Sequence, residues 1–267
     1  MFGKRHNLIL LAFMWWPLNG SFASADDLLR ATGHFESTKT PQRQWMVVTN
    51  VFQGSEKTPA ETHAIVYQNG IYYDFPADEN QPWTIFDLPR DQVVLLDVKH
   101  RQRTSLPSDD LIRLTARAQA EITAPGQRGR FGMDAEATQS SELQFAVTYA
   151  DTQYQVTAVR PTDPEIAAQY GQFVDWVCRL NIARPRGVPP FARMKLNALM
   201  TSRNVMPQET SVILTRHLGE NRTPATIRLR STTMLEQKIN DSLLGQIQDA
   251  QTMRVVFQAV PWSEFEH

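Results

Sequence analysis

The sequence predicts an α+β fold: a curved, mainly antiparallel β-sheet, half-barrel-like, with three to four helices packed on one face. Three observations carry that expectation. Gln44 to Leu106 is a succession of short β-branched and aromatic runs punctuated by Asn, Gly, Pro and Asp, the composition of neighbouring strands. A pair of strand-like runs followed by a helical one then recurs along the chain. The connections within each pair are too short for the crossovers that parallel strands need.

Trp45, Val47, Thr49 and Val51 alternate with Met46, Val48, Asn50 and Phe52, so the first strand is largely apolar on both faces and needs cover on both sides. Asn69-Gly70 is the sharpest local signal. A type I′ turn takes two residues at positive φ, which Asn-Gly accepts at little steric cost, and it joins AIVYQ to IYYDF as a hairpin. ADENQP is a polar loop and WTIFD a short strand. Leu88-Pro89-Arg90-Asp91 then turns the chain into VVLLDVKHRQRTSL, which reads as one strand leaving the core as a charged edge.

Ser108 reads as the cap of a helix over Asp109–Ile122, with Leu111, Leu114, Ala118 and Ile122 as its buried stripe. PGQRGRFG reads as a loop, and LQFAVTYA with TQYQVTAVR as a second hairpin around Ala150-Asp151. Asp163-Pro164-Glu165 is the clearest helix start: a capping carboxylate, proline at the first helical position and an acid beside it. Ile166, Tyr170, Phe173, Val174, Val177 and Leu180 follow at helical spacing. A further helix over Phe191–Ser202 carries Met194, Leu196, Leu199 and Met200. Thr210–His217 and Ala225–Thr232 form a third hairpin around GENRTP. Thr233-x-x-Glu236 has the spacing of a capping box for a last helix with the stripe Leu235, Ile239, Leu243 and Ile247, and MRVVFQAVPW reads as a final return to the sheet.

Residues 1–25 read as a signal peptide. Lys4 and Arg5 precede the apolar run Leu8–Trp16, and Ala23-Ser24-Ala25 offers a small-x-small cleavage site. An uncleaved N-terminal anchor is the alternative. Residues 26–43 follow as a helix or linker, and residues 44–267 as a single α+β domain. The expected location is exported, periplasmic or extracellular, with no transmembrane segment in the mature chain. Loss of Lys4 and Arg5 takes the formal net charge from −1 to −3, which gives no electrostatic case for nucleic-acid binding. One cysteine, Cys178, excludes an intramolecular disulfide, and its place in a helical apolar pattern marks it as a buried thiol.

No G-x-S-x-G elbow, phosphate-cradling glycine loop, H-E-x-x-H or cysteine pair at zinc spacing is present. Catalytic, cofactor and metal residues are therefore assigned to none. Three features remain. Asp74 and Asp87 lie near the ends of neighbouring strands, with Asp97 in the next; as a pair they suit acid–base work, and singly they suit strand ends and turns. On the second reading, amide substitution at Asp74 or Asp87 costs little. Lys99, Arg101 and Arg103 form a basic stripe that suits a solvated edge or an anionic surface. Trp45, Tyr67, Tyr73, Phe75, Trp83 and Phe173 are the candidate lining of an apolar pocket, or else ordinary core.

The run IYYDFP…WTIFDLPRDQVVLLDVKHRQRTSL, with AAQYGQFVDWVCRLN and PPFARMKLNALM, resembles a group of exported bacterial proteins of unassigned function, of the planctomycete type. The resemblance spans about Gln44 to Met200 and transfers no catalytic residue. In layout alone, a meander with helices behind a signal peptide is similar to the periplasmic half-barrel carriers of lipoproteins, whose cavity holds acyl chains. The expected role is that of a non-enzymatic envelope protein binding an apolar, acyl-chain type ligand or a protein partner. A hydrolase using dispersed carboxylates and a structural module of the envelope are the alternatives.

Overall fold

A computed structural model describes residues 44–185, 187–216, 225–236 and 238–265. The expected signal peptide and the helix or linker over 26–43 lie outside the described residues, as does the GENRTP loop.

The first half is a meander of strands: β1 (Gln44–Gln53), β2 (Glu61–Gln68), β3 (Ile71–Pro76), β4 (Trp83–Asp87), β5 (Gln92–Asp97) and β6 (Gln102–Pro107). The helices α1 (Ser108–Glu121) and α2 (Pro125–Arg130) follow, then β7 (Ala137–Ser141), β8 (Gln144–Tyr149) and β9 (Thr152–Val159). The remainder is α3 (Pro164–Ala183), α4 (Phe191–Ser202), β10 (Met206–Arg216), β11 (Ala225–Glu236), α5 (Asp241–Val256) and the two-residue β12 (Gln258–Ala259). All the strands join one curved, unclosed sheet in the order β12-β6-β5-β4-β3-β2-β1-β11-β10-β9-β8-β7. Every pairing is antiparallel except the short β12–β6 contact.

The two faces of β1 explain the layering. Trp45 and Val47 point into a cluster with Tyr72, Phe86, Val93 and Leu111, closed by Tyr170, Phe173 and Val174 of α3. Met46 points the other way, into Tyr73, Phe75, Ile85, Val94 and Leu96, closed by Leu243, Ile247 and Ala250 of α5. The apolar doubling of β1 is thus met by helices on both sides. A third cluster joins Phe145, Val147, Tyr154 and Val156 to Ala192, Leu196 and Met200 of α4, beside α3. The helices α3 and α4 approach closely at Gly171, where a Cβ would collide with Thr201 Oγ1. Asn197 locks that crossing by donating to the Gly171 carbonyl and to Asp175.

Several local expectations are corrected. VVLLDVKHRQRTSL is two strands, because the Asp97 carboxylate accepts from the His100 amide and Arg101 takes positive φ, closing a turn that no Gly or Pro announces. The basic stripe therefore does not form. Lys99 bonds Asn80, Arg101 lies over the Phe257 ring, and only Arg103 belongs to β6. The sheet's outer strands are instead the polar β7, which the sequence reading missed, and β12. Ser108 is the first helical residue, buried, with its hydroxyl on Asp91 rather than on a helix amide. In α1 the buried positions are Ser108, Leu111 and Thr115, while Leu114 and Ile112 face solvent. PGQRGRFG holds α2, with Pro125 at its first turn.

The capping-box spacing at Thr233 is overridden. Residues up to Glu236 stay in β11, paired with β1 through Met46, so the ladder outweighs a cap available only to a helix. The helix α5 is capped by Asn240, whose side chain accepts from the Leu243 amide. MRVV closes that helix, and only Gln258–Ala259 returns to the sheet. The Asp163 cap behaves as expected, accepting from the Glu165 amide.

Candidate functional site

The Asn69-Gly70 turn fixes which side chains share a face. It pairs Gln68 with Ile71, Tyr67 with Tyr72, Ile65 with Asp74 and His63 with Pro76. His63 and Asp74 are diagonal neighbours on one face, within reach of an imidazole. Thr84 lies opposite Asp74 on β4, and Leu95 opposite Thr84 on β5. These four positions form the floor of a cavity of about 330 Å³. Its roof is the last turns of α3, where Val177, Cys178, Leu180 and Asn181 recur at helical spacing, with Arg184 at the cap that follows. Val188, Pro190, Arg193 of α4 and Tyr154 of β9 close the sides.

The wall surface is predominantly apolar, and four charged side chains share it: His63, Asp74, Arg184 and Arg193. Asn181 donates to the Val188 carbonyl and so pins the α3–α4 connection. Arg184 donates to the Phe265 carbonyl and lies beside the Trp262 and Phe265 rings. Arg193 is different: its Nη1 is buried and meets no hydrogen-bond acceptor among the described residues. A guanidinium carries five donors and no acceptor, and a buried donor left unpaired is costly.

At the floor, His63 Nδ1 lies 2.7 Å from Asp74 Oδ1, and Glu61 lies beyond its Nε2. Burial pulls the imidazole pKa down, but hydrogen bonds to Asp74 and then Glu61 outweigh it and raise the value from 6.5 to about 10. His63 is thus an imidazolium at neutral pH. Burial pushes the Cys178 thiol up to about 12, with Arg193 only partly offsetting it. Neither group has the poise of a base or nucleophile near pH 7.

A pH dependence follows from His63. Its folded pKa is raised, so the stability it lends is fully present below about pH 6.5 and is lost as the pH climbs toward 10. His63→Gln should therefore cost about 1.5–3 kcal/mol in urea unfolding at pH 6, the range for hydrogen bonds to charged groups, and much less at pH 9.5. An equal cost at both pH values would contradict the ion pair.

The sequence-predicted site residues divide between the faces. Trp45 stacks on Tyr67 with ring centroids 5.5 Å apart, and Phe173 closes the same aromatic cluster through Tyr72. Tyr73, Phe75 and Trp83 pack together on the opposite face. None of the six lines the cavity. The carboxylate pair is also split. Asp74 faces α3, whereas Asp87, opposite Ile71 in the next strand pair, points to the α5 side and meets Arg90 and Arg254. Asp97 serves its own turn. The two aspartates cannot converge on one substrate.

Among the described residues no group of three or more His, Cys, Asp or Glu side chains is placed to hold a metal ion, and no helix is long and apolar enough to cross a membrane. Sequence reasoning missed His63, Arg184 and Arg193. The first was accessible by counting back from the Asn69-Gly70 turn; the two arginines reach the cavity from remote elements and carry no local signal. No protein-family model matches the sequence, and no curated protein is significantly similar to it.

Proposed function

We propose that this is a non-enzymatic binding protein that takes a small apolar acid, an acyl chain ending in a carboxylate, between the sheet and the α3–α4 pair. The observation that carries the reading is a mainly apolar cavity with the Arg193 side chain in its lining, a guanidinium whose buried Nη1 has no acceptor among the described residues. Apolar walls reward the chain, and a guanidinium matches a carboxylate in a planar, two-bond geometry. The volume of about 330 Å³ lies at the lower end of the usual ligand-site range, which favours a chain of medium length. The protonated His63 and the raised thiol of Cys178 support binding over catalysis, and the separation of Asp74 from Asp87 removes the carboxylate pair on which a hydrolase was argued. The charged, then apolar, then small-residue order of the first 25 positions supports action beyond the cytoplasmic membrane, where the envelope supplies such acids.

Thermal unfolding of the full chain with decanoate tests this. At a hundredfold excess over Kd the melting temperature should rise by roughly 5–10 °C. Arg193→Met should weaken binding by about 10- to 100-fold, the loss expected for a charge-assisted hydrogen bond, and methyl decanoate should bind wild type no better than decanoate binds the variant. No shift with decanoate in wild type would overturn the reading.

A further inference from the structure

The opposite face of the sheet carries a second, chemically different cavity. We propose that it is a binding site for a phosphate-class dianion. The cavity has a volume of about 270 Å³ and lies between β5, β6 and the last turns of α5. Arg90, Arg103 and Arg254 line it, together with Gln92, Ser105 and Gln251.

The sheet register explains the convergence. Gln92 and Val94 of β5 point to this face, Arg103 and Ser105 sit on β6 opposite Leu96 and Val94, and Arg254 descends from α5. One carboxylate serves two of the three guanidiniums: Asp87 Oδ2 accepts from Arg90 at 2.9 Å and from Arg254 at 2.7 Å. Three positive charges against one negative leave a formal excess of two, the charge of a phosphate or phosphomonoester dianion. Arg103 supplies the second observation. Its Nε is buried and has no hydrogen-bond partner among the described residues, and Ser105, two residues on in β6, lines the same wall.

Guanidinium groups bind phosphate oxygens in pairs, and a half-enclosed groove holds such bonds in a lower dielectric than open surface does. A volume several times that of one water, about 30 Å³, accommodates a phosphoryl group with part of its ester or its hydration. At the rim, Val255 is 80 % exposed and Val256 lies beside it, so an apolar lip adjoins the basic pocket. Free phosphomonoesters and phosphatidate headgroups share the recognised group. This site is independent of the acyl cavity, which lies on the other face.

The test uses the full chain and inorganic phosphate, with ionic strength held constant by sodium chloride. Phosphate at about 10 mM should raise the wild-type melting temperature by several degrees, with an affinity that Arg103→Gln weakens at least about tenfold. Val255→Glu, an exposed change that leaves folding intact, should weaken it similarly by placing a carboxylate at the mouth. Co-sedimentation with phosphatidate-containing vesicles, competed by free phosphate, would support the site and assign its ligand to a lipid headgroup. Phosphate binding without sedimentation would support it and assign a soluble ester. A wild type that shows no phosphate-specific shift, or equal affinity in wild type and both variants, overturns the proposal.

Discussion

Asp87→Ala is expected to destabilise the protein by about 3–5 kcal/mol, the cost of breaking a buried ion pair from one side. Asp87 is wholly buried, and its carboxylate bridges the end of β4 to α5 through Arg254, whose side chain is only 13 % exposed. Removing the acid leaves that guanidinium enclosed without its counter-charge and releases the helix that covers one face of the sheet. Arg90, largely exposed, can be removed with little effect, because solvent screens its half of the arrangement. Asp87→Asn should fall between, since an amide still accepts a hydrogen bond but supplies no charge. The modest effect expected from the sequence holds for a strand-end aspartate in water; burial under α5 reverses it. Urea unfolding at pH 7 measures the difference, and a cost below about 1 kcal/mol for Asp87→Ala would show that Arg254 is not held by this pair.

Phe173→Ala is expected to cost a similar 3–5 kcal/mol, here through a cavity rather than a charge. Phe173 is 4 % exposed and its ring meets those of Tyr72, Phe86 and Tyr170 at centroid distances of 5.8–6.1 Å. The surrounding polar tips are already engaged: Trp45 Nε1 donates to Gln169 and the Tyr72 hydroxyl to Gln172, each at 2.7 Å. Those two bonds moor α3 to the sheet, so the helix cannot settle into the vacated space. Decanoate should bind Phe173→Ala about as well as wild type, because the ring lies outside the cavity lining. A small stability loss with abolished binding would identify Phe173 as part of a lid instead.

How much was legible depended on whether the deciding force was local. Asn69-Gly70, the hairpin around Ala150-Asp151 and the Asp163-Pro164 helix start all act within a few residues, and all stand in the structure. The turn between β5 and β6 was invisible because its stabilising group is a single carboxylate, and Arg101 tolerates the left-handed region without being marked for it. The capping box at Thr233 was a true local signal that lost to eight residues of ladder with β1. β1 itself announced that both faces are covered, yet nothing in it said that α5 provides the second cover. In the candidate site, Asp74 lies at the strand position the sequence pointed to, but not beside Asp87. Its partner is the residue diagonal across the hairpin, not the next acid along the chain.

The most direct measurement is a calorimetric titration of decanoate into the full-length wild type and into Val177→Trp. Val177 is a partly exposed residue of the cavity wall, so an indole there fills the opening without touching the core. The expected result is saturable binding of one decanoate per chain in wild type, with a negative heat-capacity change from apolar burial, and at least about tenfold weaker binding in the variant at unchanged melting temperature. Absence of saturable heat in wild type, or equal affinity in wild type and Val177→Trp, would contradict a ligand site beneath α3.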